Sequence, residues 1–464
     1  MTRRLVPSVA GALAALALCA LASCADQPVP TDPGGVLAGK GGGGGSGGPS
    51  VSRTDPSSAT QDTTLDVRVL GSGFDNGSRA EFALDGVVGP KVRTNSTRFV
   101  SSSELVANIT IAADAVADLY DVVVTTTNGK KGIGTEMFEV TLRTVDLGTS
   151  AGLYSSARAV NAHGEIVGEA ELGVSAGRAA YWSRNELGVW VIRALQDPPQ
   201  PAATAEDIND AGQIVGYAGG SGPLAHAILW QSVDAAPEDL GTLPGKSRTI
   251  ARAISASGQI VGLSGDRAFL WHAATMYDLG TLGGASSSAE DINNNGVVVG
   301  QSRNAAGENR AFVWTPDAMI PGIGVMVELP TLPGYNSATA TGINDLGLVA
   351  GTVSVIAGST ITSTRPVRWT RDAGGVWRIE SLGTLNSRDT HVYAEGVNGL
   401  GDVVGYSRGR HSKAFLRRAD GTWRELRPVP GYSDSEAHDL NDARMVVGKS
   451  STAQGRTAVL WVVP

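Results

Sequence analysis

The chain has 464 residues, of which 18% are charged and 5% are aromatic, and it contains 61 glycines. This composition favours many short strands joined by tight turns over long helices, which need runs of Ala, Leu, Glu and Lys. The formal net charge of −8 and the lack of a dense Lys/Arg cluster argue against a nucleic-acid surface and against an electrostatic membrane patch.

The first 23 residues are predicted to be an export signal. Arg3-Arg4 forms a basic start, and residues 9–22 form an apolar stretch that is too short to span a bilayer. The sequence LASC at 21–24 resembles the lipobox of bacterial lipoproteins. The resemblance implies cleavage before Cys24 and lipidation of that residue, with an ordinary secretory peptide as the alternative. We expect a lipoprotein of the cell envelope, at the outer membrane or cell surface rather than the inner membrane.

Residues 24–50 are predicted to form a flexible tether, because this Gly-rich and Pro-containing run cannot bury apolar surface. The only cysteines of the chain are Cys19 and Cys24. The cleaved chain would keep one of them, so it could form neither an internal disulfide nor a Cys-based metal site.

Residues 51–142 predict an antiparallel β-sandwich. Apolar and polar residues alternate in short segments that are separated by Gly, Asn and Asp. The predicted strands lie at 65–74, 79–84, 104–111 and within 119–132. Asn128-Gly129 lies between two strand-like runs and predicts a hairpin turn.

The same region resembles the IPT/TIG family of immunoglobulin-like domains. The residues that carry the resemblance are DPSSATQDTTLDVRVLGSGF at 55–74, VSSSELVANI at 100–109 and LYDVVVTTTNGKKG at 119–132. Asp62 departs from the usual Gly before the first long strand. The resemblance implies a spacer or interaction module and assigns no catalytic residue.

Residues 143–464 contain seven copies of a repeat with an apolar residue, Asn, a turn and then Val-Gly. The copies are VNAHGEIVG (160–168), INDAGQIVG (208–216), ISASGQIVG (254–262), INNNGVVVG (292–300), INDLGLVAG (343–351), VNGLGDVVG (397–405) and LNDARMVVG (440–448). The final glycines are 38 to 54 residues apart, and this period with short strands favours a β-propeller.

Each copy is interpreted as a four-stranded blade in which Asn-x-x-Gly joins the first two strands. The third strands are HAILW (226–230), RAFLW (267–271), RAFVW (310–314), KAFLR (413–417) and AVLW (458–461). The fourth strands are DLGTL (239–243 and 278–282), SLGTL (381–385) and RELRPV (424–429). A lone fourth strand at 146–149 precedes the first copy, and the last copy lacks one. Pairing the two gives seven complete blades in a closed ring.

The repeat region also resembles the HAF family of bacterial extracellular repeats. The third-strand motif that carries the resemblance occurs at 226–228, 267–269, 310–312 and 413–415, next to DLGTLGG and the Asn-x-x-Gly turns. The resemblance implies the fold and an extracellular setting, but it assigns no molecular function.

All nine tryptophans lie in the repeats at recurring positions, which favours packing between blades over stacking on sugars. Trp230, for example, ends a third strand. Trp190, Trp377 and Trp423 instead open fourth strands.

A charged position precedes the apolar-Asn pair by two residues and is predicted to face the central channel. Its occupants are Arg158, Glu206, Arg252, Glu290, Thr341, Glu395 and His438. We expect either a ring of ion pairs between blades or a polar mouth that binds a cation or small ligand. In the second case, Asp207, Asp291 and Asp439 would contribute.

A second set of candidate ligand residues lies in the loops of the sixth copy. These residues are Arg388, Asp389, His391, Arg410 and His411. The long segment at 351–369 is also a candidate binding loop, because loops carry binding function more often than regular turns do. A solvated loop is the alternative interpretation.

The sequence has no HExxH motif, no P-loop and no strand-placed GxSxG, so we predict no catalytic residue, no metal site and no cofactor. The expected function is an adhesion or recognition module for a protein or glycan, without nucleic acid and as a monomer. An enzyme acting on extracellular polysaccharide or peptide and a structural envelope protein are the alternatives.

Overall fold

The computed structural model describes residues 47–149, 154–173, 177–200, 202–220, 222–320 and 322–464. The expected signal segment, Cys24 and nearly all of the tether lie outside these residues. The described residues belong to one compact unit and form 37 strands. Within them, no helix has the length and apolar character that crossing a bilayer requires.

Two packed sheets form the N-terminal region. Sheet A contains, in order, β1 (Ser50–Asp55), β3 (Thr63–Ser72), β7 (Glu104–Ile111) and β6 (Val92–Ser101). Sheet B contains β2 (Ser58–Thr60), β9 (Lys131–Thr141), β8 (Leu119–Thr125), β4 (Arg79–Leu84) and β5 (Val87–Val88). All pairs are antiparallel except β2 with β9. The hairpin expected at Asn128-Gly129 is present, with Gly129 at a φ of +80°.

The two sheets share one core because alternate residues of each strand point inward. Val67, Leu105 and Ile109 of sheet A and Val122 of sheet B are fully buried in this core. The region ends where β9 ends, and the next strand belongs to the repeats.

Seven four-stranded antiparallel sheets follow. Sheet 1 contains β11 (Ser155–Val160), β12 (Ile166–Ala170), β13 (Arg178–Arg184) and β14 (Trp190–Ala194). Sheet 2 contains β15 (Thr204–Ile208), β16 (Ile214–Ala218), β17 (His226–Trp230) and β18 (Pro237–Asp239). Sheet 3 contains β19 (Thr249–Ile254), β20 (Ile260–Ser264), β21 (Arg267–His272) and β22 (Thr275–Asp278). Sheet 4 contains β23 (Gly283–Ile292), β24 (Val298–Asn304), β25 (Asn309–Pro316) and β26 (Gly324–Glu328).

The remaining three sheets have the same strand order. Sheet 5 contains β27 (Ser337–Ile343), β28 (Val349–Ala357), β29 (Thr360–Arg371) and β30 (Trp377–Ser381). Sheet 6 contains β31 (Val392–Val397), β32 (Val403–Arg408), β33 (Ser412–Arg417) and β34 (Trp423–Leu426). Sheet 7 contains β35 (Asp434–Leu440), β36 (Met445–Ser451), β37 (Arg456–Val462) and β10 (Thr144–Gly148).

Sheet 7 joins the two ends of the repeat region. β10 precedes sheet 1 in the chain but pairs with β37, the last strand, with Val145 opposite Leu460. This is the pairing that the strand count predicts. The first strand of each sheet contacts the first strand of the next, and β35 of sheet 7 contacts β11 of sheet 1.

Buried asparagines connect the repeat turns of neighbouring sheets. We call the boundary between two neighbouring sheets a seam. At six of the seven seams, the asparagine of the repeat turn donates from Nδ2 to the backbone oxygen of the equivalent residue in the next sheet. These donors are Asn161, Asn209, Asn293, Asn344, Asn398 and Asn441, the last of which reaches Asn161 at 2.9 Å. Sheet 3 carries Ser255 at this position. We call this series the asparagine ladder.

The glycines of the repeat have two separate physical roles. Gly164 closes the first turn at a φ of +79°, and its amide donates to the Asn161 oxygen at 3.1 Å. The seventh turn has Arg444 in the same conformation, with a φ of +54°. Gly216 ends the motif because a Cβ there would lie 1.9 Å from the backbone oxygen of Thr204 in the neighbouring strand.

Most fourth strands lie before the segments that the sequence predicts: β18, β22 and β30 end at residues 239, 278 and 381, where the predicted strands begin. The segment expected at 239–243 leaves the sheet at Asp239, where β18 ends. The Asp239 carboxylate accepts a hydrogen bond from the Gly241 amide at 2.9 Å, and Gly241 has a φ of +74°. This local turn bends the chain out of the sheet and places Leu240 in the core.

The third-strand tryptophans pack between sheets, as their recurrence predicts. Trp230 of sheet 2 is fully buried in a cluster with Val167 and Tyr181 of sheet 1. Its indole Nε1 donates to the backbone oxygen of Gln196, in the chain segment that joins the two sheets. The indoles of Trp182, Trp369 and Trp461 are buried in the same way and also donate to backbone oxygens, so four of these tryptophans combine apolar burial with a satisfied polar atom.

The segment at 351–369 is not an irregular loop. β28 and β29 are longer than their equivalents and form a continuous hairpin that turns at Gly358, which has a φ of +62°. Both backbone groups of Ile356 bond to the Asn336 side chain, at 2.8 Å each. The segment is therefore a braced β-hairpin instead of the expected loop, and its binding role stays a prediction.

Candidate functional site

The seven charged positions selected from the sequence occupy one structural position. Each lies in a β-bulge of the first strand, one residue after a buried alanine. The bulged residues are Arg158, Glu206, Arg252, Glu290, Thr341, Glu395 and His438. The charge of Glu395 in sheet 6 acts on Arg158 in sheet 1, two sheets away. The bulges therefore direct these side chains toward a common axis.

Ion pairs and backbone contacts engage several of these bulged residues. Arg252 Nε lies 3.1 Å from Glu290 Oε2, across the seam between sheets 3 and 4. Arg158 Nη2 lies 3.5 Å from Glu169. His438 Nδ1 lies 2.7 Å from the Ala157 oxygen, so sheet 7 is linked to sheet 1. The contacts of Arg252 and His438 therefore join neighbouring sheets, whereas the pair of Arg158 with Glu169 lies within sheet 1.

Burial near the axis shifts the pKa values of the titratable side chains there. Burial raises the pKa of Glu395 to about 7, and the negative charge of Glu436 adds to the effect. Burial also raises the pKa of Glu206, although the charge of Arg158 opposes that rise. Burial lowers the pKa of His438. Low solvent access is thus the main cause in all three cases.

The three predicted aspartates bridge adjacent sheets through backbone amides. Asp207 accepts hydrogen bonds from the amides of Ile208 and Ile254, both at 2.8 Å. Asp291 accepts from Ile292 and Ile343 in the same way, at 2.7 Å each. Asp439 accepts from the Val160 amide at 2.9 Å. Burial raises the pKa of Asp291 to about 7 and that of Asp439 to about 6.

A small acidic cavity lies at the repeat-turn end of the axis. Its volume is about 280 Å³, and its lining includes Asp207, Asp291 and the turn residues Asp210, Asp345 and Asp442. Each of the three turn carboxylates accepts a backbone amide from the preceding sheet. The sequence analysis selected the two deeper aspartates and missed the three at the turns. Within the described residues, no group of His, Cys, Asp or Glu has the arrangement to hold a metal ion.

The loop residues selected in the sixth copy lie at the surface. The Arg408 amide donates to the His391 oxygen at 2.7 Å, which places the two loops side by side. Asp389 caps the Asn386 amide at 3.2 Å, and His411 lies 3.6 Å from Asp434. Arg388 and Arg410 are exposed. These contacts brace the loops and enclose none of the cavities described in this structure.

A larger cavity, which we call the sheet-1 cavity, lies on the repeat-turn side of sheets 7, 1 and 2. Its volume is about 910 Å³. Its lining side chains include His163, Glu165, Tyr181, Arg184, Trp190, Asp210 and Met445. This volume is within the range of small-molecule sites, and the lining combines aromatic faces with polar groups.

The local register of sheet 1 positions the aromatic and charged groups of this cavity. Arg184 and Trp190 are directly opposite each other in β13 and β14, and the guanidinium carbon lies 5.1 Å from the indole centre. The Tyr181 hydroxyl donates to Glu165 Oε1 at 2.5 Å. Asn161 Nδ2 donates to the other Glu165 oxygen at 2.7 Å. Burial and the bond to Glu165 raise the pKa of Tyr181 to about 12.

This cavity was not predicted, although the sequence contains a signal for it. The third strand has a buried aliphatic residue at this position in most copies, such as Leu229 and Leu270. Sheet 1 has Tyr181 instead, within RAAYWSR at 178–184. Tyr181, which departs from the aliphatic residue of the repeat, therefore lies at the sheet-1 cavity.

No protein-family model matches the chain, and no curated protein matches it. A solved structure of a Bacteroides thetaiotaomicron protein of unknown function is 10% identical, and the alignment covers 90% of this chain and 98% of that chain with a TM-score of 0.35. A gluconolactonase from Xanthomonas campestris is 11% identical, with 69% and 90% covered and a TM-score of 0.34. A Trypanosoma rangeli sialidase is 11% identical, with 83% and 59% covered and a TM-score of 0.34. At these identities and TM-scores, the matches carry no conclusion about activity.

The fold and the cavities define the class of this chain in structural terms. It is an all-β protein of repeated four-stranded sheets, with an internally bonded polar axis and a separate aromatic and polar cavity at its surface.

Proposed function

We propose that the chain is an extracytoplasmic lipoprotein, anchored in the envelope at Cys24, that binds a glycan in the sheet-1 cavity. In this proposal the N-terminal region is an immunoglobulin-like spacer of the IPT/TIG type, and the HAF-type repeats form a seven-bladed β-propeller.

Three observations support the architectural part of the proposal. There are seven four-stranded sheets, β10 completes the last of them, and the asparagine ladder returns from Asn441 to Asn161. A propeller whose first strand completes its last blade protects both chain ends of the ring from unwanted strand pairing.

The sheet-1 cavity is the observation that carries the binding function. Trp190 is half-buried at its wall and offers an apolar ring surface, while Arg184 and Asp210 offer a donor and an acceptor. Sugars present apolar C–H faces and hydroxyl groups together, and rigid aromatic side chains with adjacent polar groups complement that chemistry.

One form of the enzyme alternative, with Tyr181 as the nucleophile, receives no support from this cavity. A nucleophilic tyrosine would have to ionise near neutral pH. The pKa of Tyr181 is instead raised to about 12 by its burial and by its bond to Glu165. The hydroxyl therefore stays protonated and serves to orient Glu165.

Retention of the purified full-length chain on arrays of envelope glycans and extracellular polysaccharides tests the proposal. We expect saturable retention that weakens about tenfold or more for Trp190→Ala, because a half-buried aromatic anchor contributes at least about 1.4 kcal/mol to such binding. Trp377→Ala is the matched control. Trp377 opens the fourth strand of sheet 5 opposite Arg371, as Trp190 does opposite Arg184, and lies outside the cavity.

The outcomes separate the three functions. Equal losses for both tryptophan variants would contradict a site in the sheet-1 cavity. Shorter products released from a retained glycan would establish the enzyme alternative. No retention on any glycan would contradict the proposal and favour a structural role.

Lipid attachment has its own test. We expect alkyne-palmitate labelling of the chain in bacterial cells and its loss in Cys24→Ser. Equal labelling of both forms would show that Cys24 is not the attachment site.

A further inference from the structure

The seam between sheets 3 and 4 contains a third cavity, which we call the seam cavity. Its volume is about 460 Å³. Sheet 3 contributes Leu263 and Asp266, and sheet 4 contributes Ser286, Gln301 and Arg303 among others. This is also the seam in which the asparagine ladder lacks a rung, because sheet 3 carries Ser255.

The long hairpin of sheet 5 provides an outer wall for this cavity. Ile356 of β28 lines the cavity although it belongs to the next sheet along the chain. Asn336 fixes its position through bonds to the amide and the carbonyl of Ile356. Leu263 supplies a second apolar surface. One wall of the cavity is thus formed by the extended β28–β29 hairpin of sheet 5, which Asn336 holds in place.

The seam cavity has hydrogen-bond donors that the protein leaves free. Gln301 Oε1 accepts bonds from Asn309 at 2.9 Å and Thr339 at 3.2 Å, which fixes the orientation of the amide. Among the described residues, the Gln301 Nε2 group has no acceptor. Arg303 uses one nitrogen, Nη1, on the Gly307 oxygen at 2.7 Å. Its other N–H groups have no acceptor in the part of the chain that the structure describes.

Among the described residues, the charged side chains that line the seam cavity are Arg303 and Asp266. Asp266 is paired with Lys246 at 2.6 Å, and Glu290 is paired with Arg252 at 3.1 Å. Arg303 has no carboxylate partner among the described residues. The cavity therefore offers one uncompensated guanidinium, which is well suited to a carboxylate.

We propose that the seam cavity binds a sugar acid of monosaccharide size. The carboxylate bonds to Arg303, hydroxyl groups bond to Gln301 and Ser286, and the apolar face of the ring packs on Leu263 and Ile356. This site is separate from the sheet-1 cavity and does not depend on the function proposed for it.

Isothermal titration calorimetry with D-glucuronate, D-glucose and acetate tests the proposal on the full-length chain. We expect saturable binding of D-glucuronate and at least tenfold weaker binding of both D-glucose and acetate, because each lacks one half of the required chemistry. Arg303→Gln should weaken D-glucuronate binding about tenfold or more and leave D-glucose binding unchanged.

Two further variants make the result specific to the cavity. Arg408→Gln is the matched control. Arg408 ends VVGYSR in sheet 6, and Arg303 ends the similar VVGQSR in sheet 4. The Arg408→Gln variant should bind D-glucuronate like the unaltered chain. Ile356→Trp should abolish binding by filling the cavity, with an unchanged unfolding temperature as evidence of folding. Absent saturable binding, equal affinity for D-glucose and D-glucuronate, or an equal loss in Arg408→Gln would overturn the proposal.

Discussion

The axis of the seven sheets and the sheet-1 cavity are both lined by polar side chains, but these side chains are engaged to different extents. Along the axis, both oxygens of Asp207 and of Asp291 accept backbone amides, and Arg252 pairs with Glu290. In the sheet-1 cavity, Arg184 has no carboxylate partner among the described residues, and it lies over Trp190. Polar residues repeated around the axis thus mainly join sheets, whereas the sheet-1 cavity is lined by Tyr181, which departs from the repeat.

The largest effect should come from breaking a repeated position. Gly216→Ala would place a Cβ within 1.9 Å of the Thr204 oxygen, so one strand would have to move. We expect the free energy of unfolding to fall by roughly 3 kcal/mol, the upper part of the usual range for overpacking. Urea unfolding followed by tryptophan fluorescence measures the change.

Gly222→Ala is the matched control for that experiment. A Cβ at Gly222, in the same sheet region, would meet no atom within 4 Å, and its φ is not positive. We expect its stability to change by less than about 0.5 kcal/mol. If both variants lost stability equally, close backbone approach would not be the reason for Gly216.

The next effect concerns the charge state of the axis. The pKa of Asp291 is raised by burial to about 7 and that of Asp439 to about 6. Between about pH 4 and these values, the folded protein holds protons that the unfolded chain has released. Each such carboxyl group therefore lowers the free energy of unfolding as pH rises through that window, by up to about 1.4 kcal/mol for each pH unit.

Asp291→Asn isolates this contribution, because an amide does not titrate. We expect urea unfolding at several pH values between 4.5 and 7 to give a stability that falls less steeply with pH in Asp291→Asn than in the unaltered chain. Glu186→Gln, at an exposed turn, should leave the slope unchanged. An identical slope in the unaltered chain and Asp291→Asn would contradict a raised pKa at this position.

The smallest effect sharpens the comparison within the asparagine ladder. Ser255→Asn should supply the missing bond from sheet 3 to the Asn293 oxygen and raise the free energy of unfolding by about 1 kcal/mol, the usual net value of a hydrogen bond. Asn344→Ser should lower it by at least this amount, because it removes the bond to Asn398 and the serine hydroxyl also replaces an oxygen that accepts the amides of Leu346 and Leu348. If Ser255→Asn instead destabilised the protein, the seam between sheets 3 and 4 would differ in more than one side chain.

Much of the fold could be predicted because the repeat records it directly. The seven turns, the packing of Trp230 and the pairing of β10 with β37 all follow from recurring residues and a count of strands. The predicted fourth strand of sheet 2 begins at residue 239, where the observed strand ends, because Asp239 and Gly241 form a turn through a side-chain bond that alternation does not reveal.

The candidate site was harder to predict because its contacts join residues that are distant in the sequence. A repeated charge such as Arg252 attracts attention in the sequence, but its partner Glu290 is visible only when the sheets are adjacent. The sheet-1 cavity depends on three-dimensional neighbours from sheets 7, 1 and 2, and its one sequence signal is the unusual Tyr181.

Hydrogen exchange of the full-length chain with and without its retained glycan tests the central claim most directly. Binding in the sheet-1 cavity predicts added protection of backbone amides at 163–165, 181–190 and 210–212, with no change at the repeat turns of sheets 4 to 6. Protection confined to the repeat turns of sheets 4 to 6 around the axis, or to the N-terminal region, would contradict the assignment of the glycan site to this cavity.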